Sequence, residues 1–280
     1  MEKKEIRFRQ KRELGDIISD SFDFLKQEAK PLLRMIVLYV LPFVVLYAGA
    51  QVYFQRNVLS NLNLNDPEAL MANIGPFYLN LFIFMFFGLF VQSLLIGTFY
   101  TYLEAYIKQG KGNFQLTDIS QKFFTNSLLA LGANFVFALI VFAGAMLCLL
   151  PGLYFANTLS LVVFIFIFEK KGLSNALSRS WQLVNSSWWN TLLLNLIAVI
   201  ILFTVSLVLS TPSMVMGISS SIFSTEISNP IDYPSWFWVI NALSTTITTT
   251  LLVIPFTFQA FQYFNLAERT DSTTTLTPQE

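Results

Sequence analysis

From Phe123 to Phe168 the chain carries no charged residue. As one straight helix, rising about 1.5 Å per residue, this stretch would be about 70 Å long, more than twice a hydrocarbon core of about 30 Å. It therefore has to fold back on itself. Pro151-Gly152 marks the turn: proline fixes its own φ and glycine accepts the dihedrals of a sharp reversal. Two spans follow, over about 126–150 and 153–168. Glu169, Lys170 and Lys171 stop the second one, and lysines at one end of an apolar helix mark that end as cytoplasmic.

Four more apolar runs cover about 35–54, 76–105, 191–209 and 237–261. Only 12% of the 280 residues are charged and 54% are hydrophobic, against about 25% charged in ordinary soluble domains. The expected fold is all-α: an integral membrane six-helix bundle forming a single transmembrane domain over 1–266. Its first part, 1–34, is a cytoplasmic N-terminal segment, and the Thr-rich end, 267–280, reads as a disordered cytoplasmic tail. Ala48-Gly49-Ala50 resembles a signal-peptidase site. The polar region before the first span is too long and too amphipathic for a leader, so no cleavage is expected. With six spans, sixteen of the 17 Lys and Arg fall on one side and only Arg56 on the other. That bias makes the first side cytoplasmic, with both termini there.

Leu173, Ala176, Leu177, Ser180, Trp181 and Val184 recur with the rhythm of one helix face. A helix placed directly after a cytoplasmic stop lies in the membrane interface. Trp181, Trp188 and Trp189 are its interfacial anchors, since indole rings prefer headgroup depth. The same pattern occurs twice more. Leu14-Gly15-Asp16-Ile17 through Phe22 aligns without gaps with Leu116-Thr117-Asp118-Ile119 through Phe124, and both align with Leu173-Ser174-Asn175-Ala176 through Trp181. The chain thus reads as three units, each an interfacial amphipathic helix plus a transmembrane hairpin.

The chemistry is constrained by what is missing. There is no histidine and one cysteine, Cys148. This removes histidine metal sites, Ser-His-Asp and Cys-His nucleophiles, and any internal disulfide. Cys148 itself reads as a small buried apolar residue. The net charge is zero, which gives no nucleic-acid footprint. No catalytic residue, cofactor or metal site is expected. Glu104 lies near a span end and is expected to pair with Lys108. In the sixth span Asn241, Thr245, Thr248, Gln259 and Gln262 share one face, and Pro255 frees the carbonyl of Leu251. That face should point into the bundle, because lipid offers polar groups no partner. It either lines a cavity through Gln259 and Gln262 or forms a packed seam.

The run PGLYFANTLSLVVFIFIFEKKGLSNALSRSWQLVNSSWW, with Gly97 and KQGKGNFQLTDI, resembles a broad bacterial group of polytopic membrane proteins. Its best-named member is the membrane domain attached to some glycerophosphoryl diester phosphodiesterases. The resemblance rests on Pro151, Gly152, Glu169, Ala176, Arg179, Ser180, Trp181 and Leu183. It implies a bacterial cytoplasmic-membrane protein and carries over no catalytic residue, because nothing here matches the soluble barrel. The expected function is a non-enzymatic multi-pass module that anchors or regulates partners, with membrane lipids and other membrane or cytoplasmic proteins as its contacts. The alternative is a small-solute or lipid transporter, suggested by the hairpin repeat and by Gln92, Asn134, Asn157, Asn195 and Asn241 inside spans. An intramembrane enzyme ranks last, for want of a base beside any nucleophile.

Reporter fusions after Asp66, Gly112, Ser178 and Ser228 should report outside, inside, inside and outside. A periplasmic signal at Gly112 would overturn this topology.

Overall fold

The computed structural model describes residues 6–59, 67–111, 113, 114, 116–223 and 233–274. All regular structure among them is helical. The elements are α1 (Leu14–Gln27), α2 (Ala29–Met35), α3 (Leu41–Tyr53), α4 (Pro67–Gln109), α5 (Leu116–Leu147) and α6 (Leu149–Thr158). They continue with α7 (Val162–Glu169), α8 (Leu173–Asn185), α9 (Trp188–Phe223), α10 (Ser235–Leu251) and α11 (Val253–Thr274). Among the described residues six helical runs are long and apolar enough to cross a membrane: Ala29–Leu59, Pro67–Gln109, Lys122–Leu147, Leu149–Glu169, Trp188–Met216 and Ser235–Thr270. Their outward side chains are large and apolar, Phe82, Phe86, Phe142 and Phe203 among them. A water-soluble protein does not expose such a surface. This is a multi-pass helical membrane protein.

Contacts gather into two units. Unit 1 comprises Met1–Tyr39, Ser93–Ile200 and Leu252–Glu280, and unit 2 comprises Val40–Gln92 and Ile201–Leu251.

Unit 1 has an aromatic and aliphatic core that includes Phe24, Met35, Leu95, Phe99, Tyr102, Phe164, Phe258 and Phe261, all essentially inaccessible. Small residues set its helix spacings. A Cβ added at Gly97 of α4 would sit 2.5 Å from the Cα and N of Ser127 in α5. Between α5 and α6, a Cβ at Gly152 would sit 2.9 Å from the Cα of Ala145. Lipid supplies no hydrophobic drive between spans, so such close backbone approach carries much of the packing.

This corrects the expected turn. The chain breaks at Cys148, whose backbone is extended (φ −170°, ψ 153°). Pro151 and Gly152 lie inside α6. Pro151 takes the third helical position, where its missing N–H leaves no bond unmade, and Gly152 is there for the contact with Ala145. Cys148 is exposed, not buried. The fourth span is the most enclosed of the six, and it is discontinuous: α6 ends at Thr158 and α7 starts at Val162.

Two further boundaries differ. The amphipathic stretch at Leu116 is not a separate helix but the start of α5, whereas α1 and α8 are set off from the next helix by Glu28 and by Ser186-Ser187. The segment expected as a tail remains helical to Thr274. Residues 275–280 lie outside the described residues.

Unit 2 is built from α3, the N-terminal part of α4, the C-terminal part of α9, and α10. Rings interleave between α3 and α4: Tyr47 stacks on Phe84 at 5.1 Å, and Phe43 meets Phe90 edge-on at 5.8 Å. Ile36–Val40, just before α3, is π-helical. The wider turn takes up the extra residue ahead of Pro42, which cannot donate to the preceding turn.

Gly97→Ala should cost about 1–3 kcal/mol, the range for overpacking a tight contact. Gly132→Ala, whose Cβ meets nothing within 4 Å, should be neutral or slightly stabilising. Thermal unfolding of the two purified variants checks the contrast.

Candidate functional site

The charged end of unit 1 holds three sequestered carboxylates on three different elements. Glu28 is the hinge residue between α1 and α2, Glu104 lies in the last turns of α4, and Glu169 closes α7. An acid removed from water is kept ionised only by partners held close, and each of these has them. Glu28 Oε2 accepts the Tyr102 hydroxyl at 2.6 Å, with Lys111 Nζ 3.3 Å from Oε1. Glu104 Oε1 accepts from Lys108 at 2.6 Å, as expected, and also from Lys170 at 3.2 Å. Glu169 Oε1 accepts the Tyr263 hydroxyl at 2.7 Å. Lys170 reaches Glu104 from a left-handed backbone position (φ 55°) that ends α7, and Gly172 (φ 90°) then starts α8. The left-handed residue stops α7 and turns the chain within two residues.

The N-terminal segment is tied to the same end. Phe8 is buried, stacked on Phe261 at 4.5 Å and edge-on to Phe24 at 5.3 Å. The Arg12 guanidinium is also buried. It pairs with Asp20 at 2.7 Å, donates to the Phe8 and Arg7 carbonyls, and lies 4.8 Å from the Phe261 ring centre. The Arg12 backbone N–H donates to Asn265 Oδ1 at 2.8 Å, and its carbonyl accepts from Arg269 at 2.6 Å.

Beside this anchored segment opens a polar cleft of about 710 Å³. Arg9, Lys171 and Arg179 bring three positive charges to it, and Glu169 and Glu268 bring two negative ones. Phe168 and Phe264 add aromatic lining. The sequence marked Glu169 and Arg179 through the resemblance and Lys171 as a stop signal. Arg9 could not be placed there from its position in the chain.

The break between α6 and α7 carries a second polar cluster. Asn157 donates to the Trp188 carbonyl at 3.1 Å and accepts from Asn195 at 3.0 Å. The Thr158 carbonyl accepts from Ser180 at 2.8 Å, and its hydroxyl accepts from the Trp188 indole at 3.1 Å. Backbone freed where the helix is interrupted thus finds partners inside the protein, as a low-dielectric setting requires. Trp188 serves this cluster as well as stacking on Tyr154 at 5.8 Å. Trp181 is partly covered by Tyr154, and Trp189 is 77% exposed.

The polar face expected on the sixth span is not carried by one helix, because the helix is interrupted at Leu252, three residues before Pro255. Asn241, Thr245 and Thr248 belong to unit 2 and Gln259 and Gln262 to unit 1. In unit 2, Asn241 accepts from Ser213 at 3.3 Å, Thr245 donates to Gln51, and Thr248 donates to the Ser244 carbonyl at 2.5 Å. In unit 1, Gln262 is buried and donates to Thr191 at 2.9 Å, while Gln259 accepts the Tyr100 hydroxyl at 3.5 Å. Gln262 belongs to a packed seam.

Glu104→Gln should lower stability by about 1–3 kcal/mol through its lost charged hydrogen bonds. Lys108→Gln should cost less, since Lys170 still neutralises the acid. Removing both lysines should cost more than Glu104→Gln, because a sequestered charge is then left unpaired. Thermal melts of the four proteins in one detergent check the order.

No family model matches the chain, and neither the curated proteins nor the solved structures contain a match to it.

Proposed function

We propose that this protein is a non-enzymatic module of the bacterial cytoplasmic membrane, one that anchors or regulates partners at its cytoplasmic face. One observation carries the reading. Glu28, Glu169 and Arg12 tie together the N-terminal segment, α1 and the ends of α4, α7 and α11, beside an open polar cleft that α8 helps to line. The partners are membrane lipids and membrane or cytoplasmic proteins. The lysine and arginine bias supports a cytoplasmic position for both termini and for this end of unit 1. The arrangement as three amphipathic-plus-hairpin units is supported by aligned positions that share burial: Ile17, Ile119 and Ala176, and again Phe24, Asn126 and Leu183. Gly110 and Gly172, both with positive φ, precede the second and third units. The likeness to the membrane domains of glycerophosphoryl diester phosphodiesterases rests on the sequence alone, chiefly the run Pro151–Trp189.

The alternative, a small-solute or lipid transporter, draws on the α6–α7 break, since interrupted helices with polar ends build transporter binding sites. A photocrosslinker attached at position 178 in a Cys148→Ala background, within native membranes, should capture a protein whose abundance falls when this chain is deleted. The same label at lipid-facing Leu196 should not. Movement of a solute or lipid across liposomes holding this protein alone would overturn the module and favour the transporter.

A further inference from the structure

We propose that the cleft between Arg9, Lys171 and Arg179 binds a phosphate group, carried by a lipid headgroup or free in solution. Arg179 carries most of the argument. Its Nε lies 3.7 Å from Glu169 Oε1, beyond hydrogen-bond reach, and that oxygen already accepts the Tyr263 hydroxyl at 2.7 Å. Among the described residues the guanidinium therefore donates no hydrogen bond. The side chain, 31% exposed, lines the cleft and carries five N–H donors. Lys171 Nζ is likewise 3.7 Å from Glu169 Oε2. Arg9 forms no ion pair among the described residues, and its guanidinium carbon lies 6.0 Å from the Phe264 ring centre. Its backbone is nonetheless held, because Phe8 beside it and Arg12 three residues on are both buried.

Three cations from three separate segments thus converge on one space, and the two carboxylates there leave positive charge over. A metal cation is disfavoured by that balance. A flat carboxylate suits one guanidinium, whereas a phosphate presents oxygens in several directions and can take donors from all three segments. Ser178 and Gln182 line the same space and add neutral donors. The inference goes beyond the docking reading and does not require it.

The test uses the full chain purified in a neutral detergent. Isothermal titration is run with inorganic phosphate and, separately, with dihexanoyl phosphatidylglycerol. Saturable binding is expected. Arg179→Gln should weaken it tenfold or more, Lys171→Gln about threefold, and Arg179→Lys should recover only part of the loss. Ser174→Ala, at an exposed α8 position outside the cleft, should bind as the native chain does. Should Arg179→Gln not fold by its melting curve, exposed Arg9→Gln carries the comparison. Saturation by inorganic phosphate, with competition against the lipid, assigns free phosphate; lipid binding that phosphate does not displace assigns a headgroup. No saturable binding of either probe, or native affinity in the Arg9, Lys171 and Arg179 variants, would overturn the proposal.

Discussion

A carboxylate that leaves water gives up hydration worth several kcal/mol, and only a partner held against it keeps it ionised. At the charged end of unit 1 each acid has at least one partner from elsewhere in the chain. Glu28 joins the α1–α2 hinge to Tyr102 of α4 and to Lys111 beyond it. Glu104 joins α4 to Lys170, past the end of α7. Glu169 joins the end of α7 to Tyr263 of α11 and stands near Arg179 of α8. The three acids act as cross-links, and losing one partner exposes the cost of the charge left behind. The open cleft borders the third acid, the one whose cations stand farthest off. Glu169 thus fastens α7 to α11 and also borders the cleft.

Away from the charges, close packing does the comparable work. Gly97 against Ser127 and Gly152 against Ala145 let helices approach until backbones touch. Where the backbone itself is interrupted, between α6 and α7, Asn157, Thr158, Ser180 and Asn195 take up the polar groups. Both devices answer the same constraint: neither a lipid tail nor a packed interior will hydrogen-bond a stray amide.

Some of this was legible in the residues. The uncharged run from Phe123 to Phe168 and the stop at Glu169 require two crossings by length alone. The pairing of Glu104 with Lys108 follows from their spacing of one helical turn. The turn at Pro151-Gly152 was misplaced because proline and glycine punctuate chains for more than one reason. Proline is tolerated in the first turn of a helix, and glycine also serves close approach. The polar face of the sixth span was read on a continuous wheel, and the break at Leu252 cuts that wheel in two.

The sequence by itself determined that this is a helical protein with six long apolar segments, because hydrophobic length and the scarcity of charge act locally and can be summed along the chain. Only the tertiary structure decided which distant groups meet: Arg12 with Phe261 and Asn265, Glu104 with Lys170, Glu169 with Tyr263, and Arg9 beside Arg179 at the cleft. Those meetings depend on helix ends set by a left-handed Lys170, an extended Cys148 and glycine-wide gaps. A shift of one residue at any of them turns a side chain by about 100° around its helix and away from its partner.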